Sequence, residues 1–277
     1  MKQVVEEIGD SDFVVLIDDF HYMDRSVQEE VAKGIKEAAR LGINIVTAQV
    51  PHRGDDVVRA NPELRGRVRA IDINYWNERE LKRIADLGFD ALNVRLSEES
   101  IEELVKESAG SPQLMQLICL HACFVLNIRE PKSTTEDLEV GAKQAQEIFE
   151  QTASVTDFRS LVDVLDSGPK RRGTERNVYQ LTNGKEGDVY RCLLHAIAAD
   201  PPKLSFDYDA ITERVSAMCS GDSPDGSSIT RSCSQMSKLA QEKFPNERVI
   251  DWDETKQFLE LPDPYLLFYL RWSDRLT

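Results

Sequence analysis

Hydrophobic positions in the first fifty residues follow the periods of a strand, a helix and a second strand. Residues 13–17 are an unbroken apolar run between polar flanks, which is typical of a strand covered on both faces in a parallel sheet. Residues 24–42 have apolar positions at helical spacing, an acidic start and a closing glycine. A second apolar run, residues 43–50, ends in polar side chains. Strand, helix and parallel strand in this order predict one right-handed crossover unit.

Beyond residue 75 the pattern becomes mainly helical. Asn77 and Ser97 are favourable N-caps, and the helices predicted over residues 76–88 and 97–110 each close on a glycine. A strand is predicted just before this part, over residues 70–74. Further helices are predicted over residues 112–124, 135–157, 158–165, 189–198, 208–218 and 227–244. The chain then forms a predicted hairpin from strands 248–252 and 257–261, followed by an aromatic helix before residue 272.

Two adjacent carboxylates, Asp18 and Asp19, follow the first strand directly. Open α/β sheets bind their ligands beyond the carboxyl ends of the strands. In phosphoryl-transfer proteins the first acid of such a pair holds Mg²⁺, and the second orients or deprotonates the attacking water. A solvated strand end followed by a helix cap is the competing interpretation of the pair.

The order of these features resembles the Walker B to sensor 1 segment of P-loop ATPases of the AAA+ and STAND groups. The stretch LIDDFH at the end of the first strand is similar to both groups. The resemblance implies that Asp18 is the Mg²⁺-associated acid and that Asp19 polarises the water. It makes Thr47 or Gln49 the sensor 1 residue near the γ-phosphate, while a turn before Pro51 is the alternative role for Gln49.

Arginines are concentrated in residues 51–70 of a chain that is otherwise acidic. In AAA+ oligomers the segment after sensor 1 carries an arginine finger, which stabilises charge on a phosphate held by the neighbouring subunit. Ion pairing with local acids is the alternative. The arginine-finger candidates that the resemblance provides are Arg53, Arg59, Arg65 and Arg67.

A Gly-x-Pro sequence precedes the apolar helix in the middle of the chain. Gly110, Ser111 and Pro112 resemble the GxP motif of STAND proteins, whose proline packs near the adenine. The resemblance therefore makes these residues nucleotide-binding candidates and the helices of residues 76–166 a lid. An ordinary helix start explains the Ser-Pro pair as well, because proline suits the first turn.

The chain departs from these families in lacking a phosphate-binding loop. No G-x-x-x-x-G-K-[ST] pattern occurs in residues 1–277. Without the central strand of the P-loop fold, apolar edges and faces of the sheet are expected to be uncovered. A truncated chain, a split protein and a degenerate domain are the three explanations, and truncation is the one we expect. Alone, the chain is expected to bind ATP weakly and to hydrolyse it negligibly.

The helices and hairpin of residues 188–277 resemble a winged-helix domain, and the last helix is similar to the end of origin-recognition-like ATPases. The net charge of −15 argues against DNA as the main partner, because DNA affinity rests on neutralising phosphates. A packing and switch role is therefore preferred. The side chains that the third helix would offer to DNA are Thr230, Arg231, Ser234, Gln235 and Lys238.

The expected fold class is α/β plus mainly α. It comprises an incomplete P-loop ATPase core (residues 1–75), a helical lid (76–166), a linker (167–187) and a C-terminal winged helix (188–277). In the complete protein, ATP and Mg²⁺ would control the positions of lid and winged helix and the oligomeric state. The alternative is a non-enzymatic winged-helix interaction or DNA-binding module with a vestigial ATPase core.

Composition gives the remaining expectations. The partners expected are other copies of the chain or a missing N-terminal half, and an effector protein, with DNA less favoured. No signal-peptide core and no apolar stretch of membrane-spanning length occur, so a cytoplasmic protein with no membrane partner is expected. The five cysteines lie mostly on apolar helix faces, which favours buried thiols over a metal site.

Overall fold

A computed structural model describes residues 7–8, 11–20, 23–49, 61–64, 66–71, 75–170, 175–245 and 248–276. The chain divides into two compact units, residues 1–74 and 75–277. The helices are α1 (Arg25–Arg40), α2 (Glu78–Ala91), α3 (Glu98–Glu107), α4 (Pro112–Val125), α5 (Ala142–Ala153), α6 (Arg159–Ser167), α7 (Val189–Ala198), α8 (Tyr208–Met218), α9 (Gly226–Lys243) and α10 (Pro264–Trp272). The strands are β1 (Val14–Ile17), β2 (Asn44–Thr47), β3 (Val94–Leu96), β4 (Glu136–Leu138), β5 (Tyr179–Gln180), β6 (Glu186–Gly187), β7 (Ser205–Asp207), β8 (Asp251–Asp253) and β9 (Phe258–Glu260).

The N-terminal unit contains the predicted strand, helix and parallel strand. β1 and β2 pair in parallel from Val14 opposite Asn44 to Ile17 opposite Thr47, with α1 between them in sequence. The helix ends at the predicted glycine: Gly42 has φ 82°, and the N–H of the next residue donates to the carbonyl of Ala38 at 3.1 Å. This is a Schellman closure, which turns the chain from α1 into β2.

The prediction that β1 is covered on both faces is wrong. Phe13, Val14 and Leu16 are 68%, 55% and 63% exposed. Only β1 and β2 form this sheet among the described residues, and only the side chains on one face, such as Ile17 and Ile45, pack against a core. The other face therefore leaves its apolar side chains in contact with water, which agrees with the expectation of uncovered apolar faces on this sheet.

The strand predicted over residues 70–74 is absent from its described part. Ala70 and Ile71 lie outside any strand, and Ile71 is 79% exposed. An isoleucine with so little packing gains nothing from an extended conformation, because strand preference reflects packing on a pleated surface. Residues 72–74 lie outside the described residues.

The second unit encloses two hydrophobic cores. The N-side core contains Leu81, Leu104, Met115, Ile118, Ile148 and Phe149 and joins α2 to α5. The C-side core contains Leu161, Leu193, Phe206, Ile229 and Leu259 and joins α6 to α9 and the sheet β7–β9–β8. The predicted helices of residues 188–277 and their hairpin are present, and β7 adds a third strand to that hairpin.

Some predicted boundaries within the second unit need correction. Gly88 does not stop α2, because Phe89 is buried and holds the next turn against the N-side core; the left-handed residue that follows the helix is Asn93, with φ 54°. The helix predicted from residue 135 begins only at Ala142, since Glu136–Leu138 pairs with β3 as a parallel strand.

α6 was predicted within the lid, yet its Leu161 and Leu165 pack in the C-side core. The stretch predicted as a linker, residues 167–187, contains the antiparallel pair β5–β6. The boundaries of lid, linker and winged helix stay predictions. Within the described part of the chain, no helix is both long and apolar enough to cross a lipid bilayer.

Candidate functional site

The turn that follows β1 carries both predicted carboxylates at its surface. Asp18 and Asp19 are exposed, and the backbone N–H of Asp19 donates to Oδ1 of Asp18 at 2.9 Å. Asp19 has φ 53°, a left-handed conformation that aspartate tolerates better than most residues. The next residue, Phe20, is fully buried and anchors the turn in the core of the N-terminal unit.

Hydrogen bonds hold this turn beside the end of β2. The N–H of Phe20 donates to the carbonyl of Ala48 at 3.1 Å, and the N–H of Ala48 donates to the carbonyl of Ile17 at 2.9 Å. From α1, the buried Gln28 donates its Nε2 to the carbonyl of Phe20 at 3.3 Å. Sequence reasoning missed Gln28, although it lies one helical turn after Asp24, the predicted start of that helix. The acid turn is therefore fixed from both the sheet and the helix.

The candidate sensor residues end β2 at the same edge of the sheet. Thr47 is the last residue of β2 and lies opposite Ile17, the residue before the acid pair. Gln49 follows, and its Oε1 is buried with no hydrogen-bond partner among the described residues. An acid pair and polar side chains at the carboxyl ends of parallel strands can together bind a cation and orient a water.

Most of the arginine-finger candidates lie outside the residues that the structure describes. Arg53, Arg59 and Arg65 lie outside the described residues. Arg67 is exposed. The pKa of Glu63 is lowered mainly by its hydrogen bond from Lys36, and the charge of Arg67 makes the smallest contribution.

The Gly-x-Pro segment begins α4 with a well-formed cap. Ser111 is the N-cap, its Oγ accepts from the N–H of Leu114 at 3.2 Å, and Pro112 occupies the first turn. Gly110 has φ 86°, and its carbonyl accepts from the N–H of Trp76 at 3.0 Å. These bonds fix the segment against the chain entering α2.

Two aromatic residues beside this segment were not predicted as site residues. Tyr75 and Trp76 are 39% and 44% exposed, and a Cβ atom on Gly110 would lie only 2.8 Å from the Cβ of Tyr75. Burial of its hydroxyl end raises the pKa of Tyr75. In the sequence, the only sign of this contact is that two aromatic residues stand directly before the Asn77 helix cap.

The structure thus forms two groups of candidate residues. One brings Asp18 and Asp19 next to Thr47 and Gln49; the other brings residues 110–112 next to an aromatic pair. The two groups belong to different units.

The candidate DNA-contact residues lie on α9. Arg231 and Lys238 are exposed, and neither forms a salt bridge within the described residues. Gln235 is half-buried, and Thr230 donates its hydroxyl to the carbonyl of Ser227 at 3.2 Å. Ser234 is engaged elsewhere: its Oγ donates to Glu254 at 2.9 Å.

Acidic groups flank this surface. Asp225 caps α9, and hydrogen bonds from Ser227 and Ser228 lower its pKa to about 2, so that it stays charged. Glu254 lies at the hairpin end. The surface is therefore of mixed charge around its exposed cations.

The cysteines are all reduced thiols. Cys119 and Cys123 are half-buried on α4, and the others are buried. Burial raises the pKa of Cys119 and Cys192 to about 12, which keeps them neutral. Among the described residues, no group of three or more His, Cys, Asp or Glu side chains could hold a metal ion.

No protein-family model matches the chain. The chain is similar to the Holliday junction branch migration complex subunit RuvB of Staphylococcus haemolyticus, with 26% identity over 108 residues. The similarity links the chain coarsely to the AAA+ class of P-loop ATPases. The match covers 36% of this chain and 31% of that relative, so the chain spans about a third of the relative's length.

Proposed function

We propose that this chain is the Walker B to winged-helix portion of an ATP-hydrolysing switch protein of the STAND or AAA+ type. The observation that carries the proposal is the parallel pair β1–β2, which places Asp18 and Asp19 beside Thr47 and Gln49 at one sheet edge. The similarity to RuvB supports it.

The residues at this edge fit Mg²⁺ and ATP. Magnesium prefers carboxylate oxygens and keeps several waters, and an exposed carboxylate such as Asp18 permits both. A bound Mg²⁺ would neutralise charge on the phosphates. Asp19 would orient the attacking water, and Thr47 or Gln49 would contact the γ-phosphate. The buried, unpartnered Oε1 of Gln49 supports a polar ligand at this edge, because a buried acceptor without a partner is costly.

The remaining elements would carry the output of the switch. The winged-helix assignment is supported by the element order α7, β7, α8, α9, β8 and β9 and by the central position of β9 in an antiparallel sheet. Helices α2 to α5 would form the lid, with residues 110–112 on the adenine side. Nucleotide would then set the position of these elements and, through them, self-association or an effector.

The experiment uses the complete protein that contains residues 1–277. Asp19→Asn is expected to lower ATP turnover by at least about 100-fold, the usual contribution of a positioned base, while ATP binding is retained. Turnover and nucleotide affinity are measured on the same preparations.

Asp12→Asn is the matched control, because this exposed aspartate precedes the same strand at its opposite end. Its turnover should equal that of the parent chain. Equal turnover by the Asp19→Asn variant and the parent would refute the proposal.

A second candidate function is DNA contact through α9. It is favoured by the exposure of Arg231 and Lys238, which lie two helical turns apart on that helix, and by the Holliday junction in the relative's name. In this case the chain would act as a DNA-binding module, with or without nucleotide.

Arg231→Ala/Lys238→Ala is expected to weaken duplex or junction DNA binding and to reduce the slope of log affinity against log salt by about 2, one for each lost phosphate contact. Fluorescence anisotropy across a salt series measures the slope. Lys143→Ala, an exposed lysine on α5, is the control and should leave the slope unchanged. An unchanged slope in the double variant would dismiss this candidate.

A further inference from the structure

Helix α10 is shared by the two hydrophobic cores of the second unit. Leu266, Leu267 and Leu270 pack in the C-side core, whereas Phe268 belongs to the N-side core. Phe268 meets Phe149 edge to face at a centroid distance of 5.9 Å. Each core therefore depends on a different face of the same short helix.

The end of α10 carries a buried charge network that crosses from one core to the other. Arg271 donates Nε to Oε2 of Glu107 at 2.9 Å and Nη2 to Oε1 at 2.6 Å. Trp272 donates its Nε1 to the same carboxylate at 2.7 Å. The side chain of Glu107 is 4% exposed and that of Arg271 is 10% exposed, so this is a buried, bidentate ion pair.

Arg271 also forms hydrogen bonds to residues at the end of α7, a helix of the C-side core. Its Nη1 donates to the carbonyl of Ala198 at the end of α7 at 2.7 Å, and its Nη2 donates to Asp200 at 2.8 Å. Asp200 in turn pairs with Lys106, the neighbour of Glu107 on α3. One guanidinium thus contacts the last residues of both α3 and α7.

The hydrogen bonds of Arg271 to Glu107 and to Ala198 can form together in only one relative position of the two cores. The guanidinium is a planar fork, and its donors reach Glu107 and Ala198 together only when the ends of α3 and α7 keep their present spacing. A buried ion pair adds little net stability compared with apolar packing, but separating its partners leaves an uncompensated buried charge. The network therefore penalises relative motion of the cores more than it stabilises either one.

We propose that α10 and its Arg271–Glu107 pair lock the N-side and C-side cores into one rigid arm. The proposed lid and winged helix then move together, and any conformational change must take place outside this pair of cores. The lock is a property of the folded chain itself and does not require ATP.

Amide hydrogen exchange tests the lock, because it measures whether a substitution that destabilises one core also speeds exchange in the other core. Ile229→Val removes one methylene from the C-side core, where Ile229 is fully buried. With Arg271 present, the slowest amides of α4 and α5 and those of α9 should all exchange faster by the same factor, about 2- to 10-fold. In an Arg271→Met background the acceleration should be confined to the C-side core.

Two results would overturn the lock. Acceleration confined to the C-side core while Arg271 is intact would mean that the cores are not coupled. Equal acceleration of both cores in the Arg271→Met background would mean that the ion pair does not couple them. Should Arg271→Met fail to fold, Glu107→Gln, which keeps the side-chain size, replaces it. Arg159→Met, which breaks the exposed pair with Asp157, is the control and should leave the coupling intact.

Discussion

Replacing Phe149 with alanine should lower the free energy of unfolding by about 3–5 kcal/mol, the usual cost of deleting a buried aromatic side chain. Phe149 is fully buried, and its ring lies 4.5 Å from the Trp272 ring and 5.9 Å from the Phe268 ring, centroid to centroid. The cavity would therefore open where α10 meets the N-side core. Urea unfolding followed by circular dichroism measures the change, with the slope against denaturant checked for constancy.

Phe124→Ala is the matched control on the neighbouring helix α4. The ring of Phe124 is 39% exposed, and the guanidinium of Arg129 lies 4.8 Å from its centroid. Losing a partly exposed ring and one cation–π contact should cost only about 1 kcal/mol. Equal costs for the two variants would show that the assignment of Phe149 to the core is incorrect.

Gly110→Ala should destabilise the chain by about 2–4 kcal/mol, because two penalties add at this position. The φ of 86° at Gly110 is left-handed, which strains any residue with a Cβ atom. The new Cβ would also lie 2.8 Å from the Cβ of Tyr75, so the backbone at Tyr75 or at residue 110 must shift. The shift would also disturb Trp76, whose N–H donates to the carbonyl of Gly110. Thermal and urea unfolding report the loss of stability.

Gly88→Ala should have the opposite sign. Gly88 lies inside α2, and a Cβ there would have no atom within 4 Å. Alanine should therefore stabilise the helix by about 0.5–1 kcal/mol through its better helix propensity. A stabilising Gly110→Ala, or a strongly destabilising Gly88→Ala, would contradict the geometry described for these glycines.

Local signals in the sequence were sufficient where the determinants were local. Asn77, Ser97 and Ser111 each cap the predicted helix that follows them, because the capping side-chain oxygen accepts from a backbone N–H only three residues further on. The parallel pairing of β1 and β2 follows from two apolar runs around one amphipathic helix. The proposed acid turn follows from the same pattern.

Features that depend on distant partners could not be predicted in this way. The sequence predicts that the helix ends at Gly88, but α2 continues because Phe89 is buried in the N-side core. The pairing of β3 with β4 joins three-residue strands about forty positions apart, which leave no periodic signal. The contact between Glu107 and Arg271 joins residues 164 positions apart. Pattern reasoning also could not tell that Tyr75 and Trp76 would lie against Gly110.

The Asp18–Asp19 edge is proposed to belong to a Mg-ATP site. Isothermal calorimetry on the complete protein that contains residues 1–277, with Mg²⁺ and with EDTA, tests this assignment most directly. The parent is expected to bind ATP more tightly with Mg²⁺, and Asp18→Ala/Asp19→Ala is expected to lose that difference. ATP binding that is absent from both forms, or equally Mg²⁺-dependent in both, would contradict the claim.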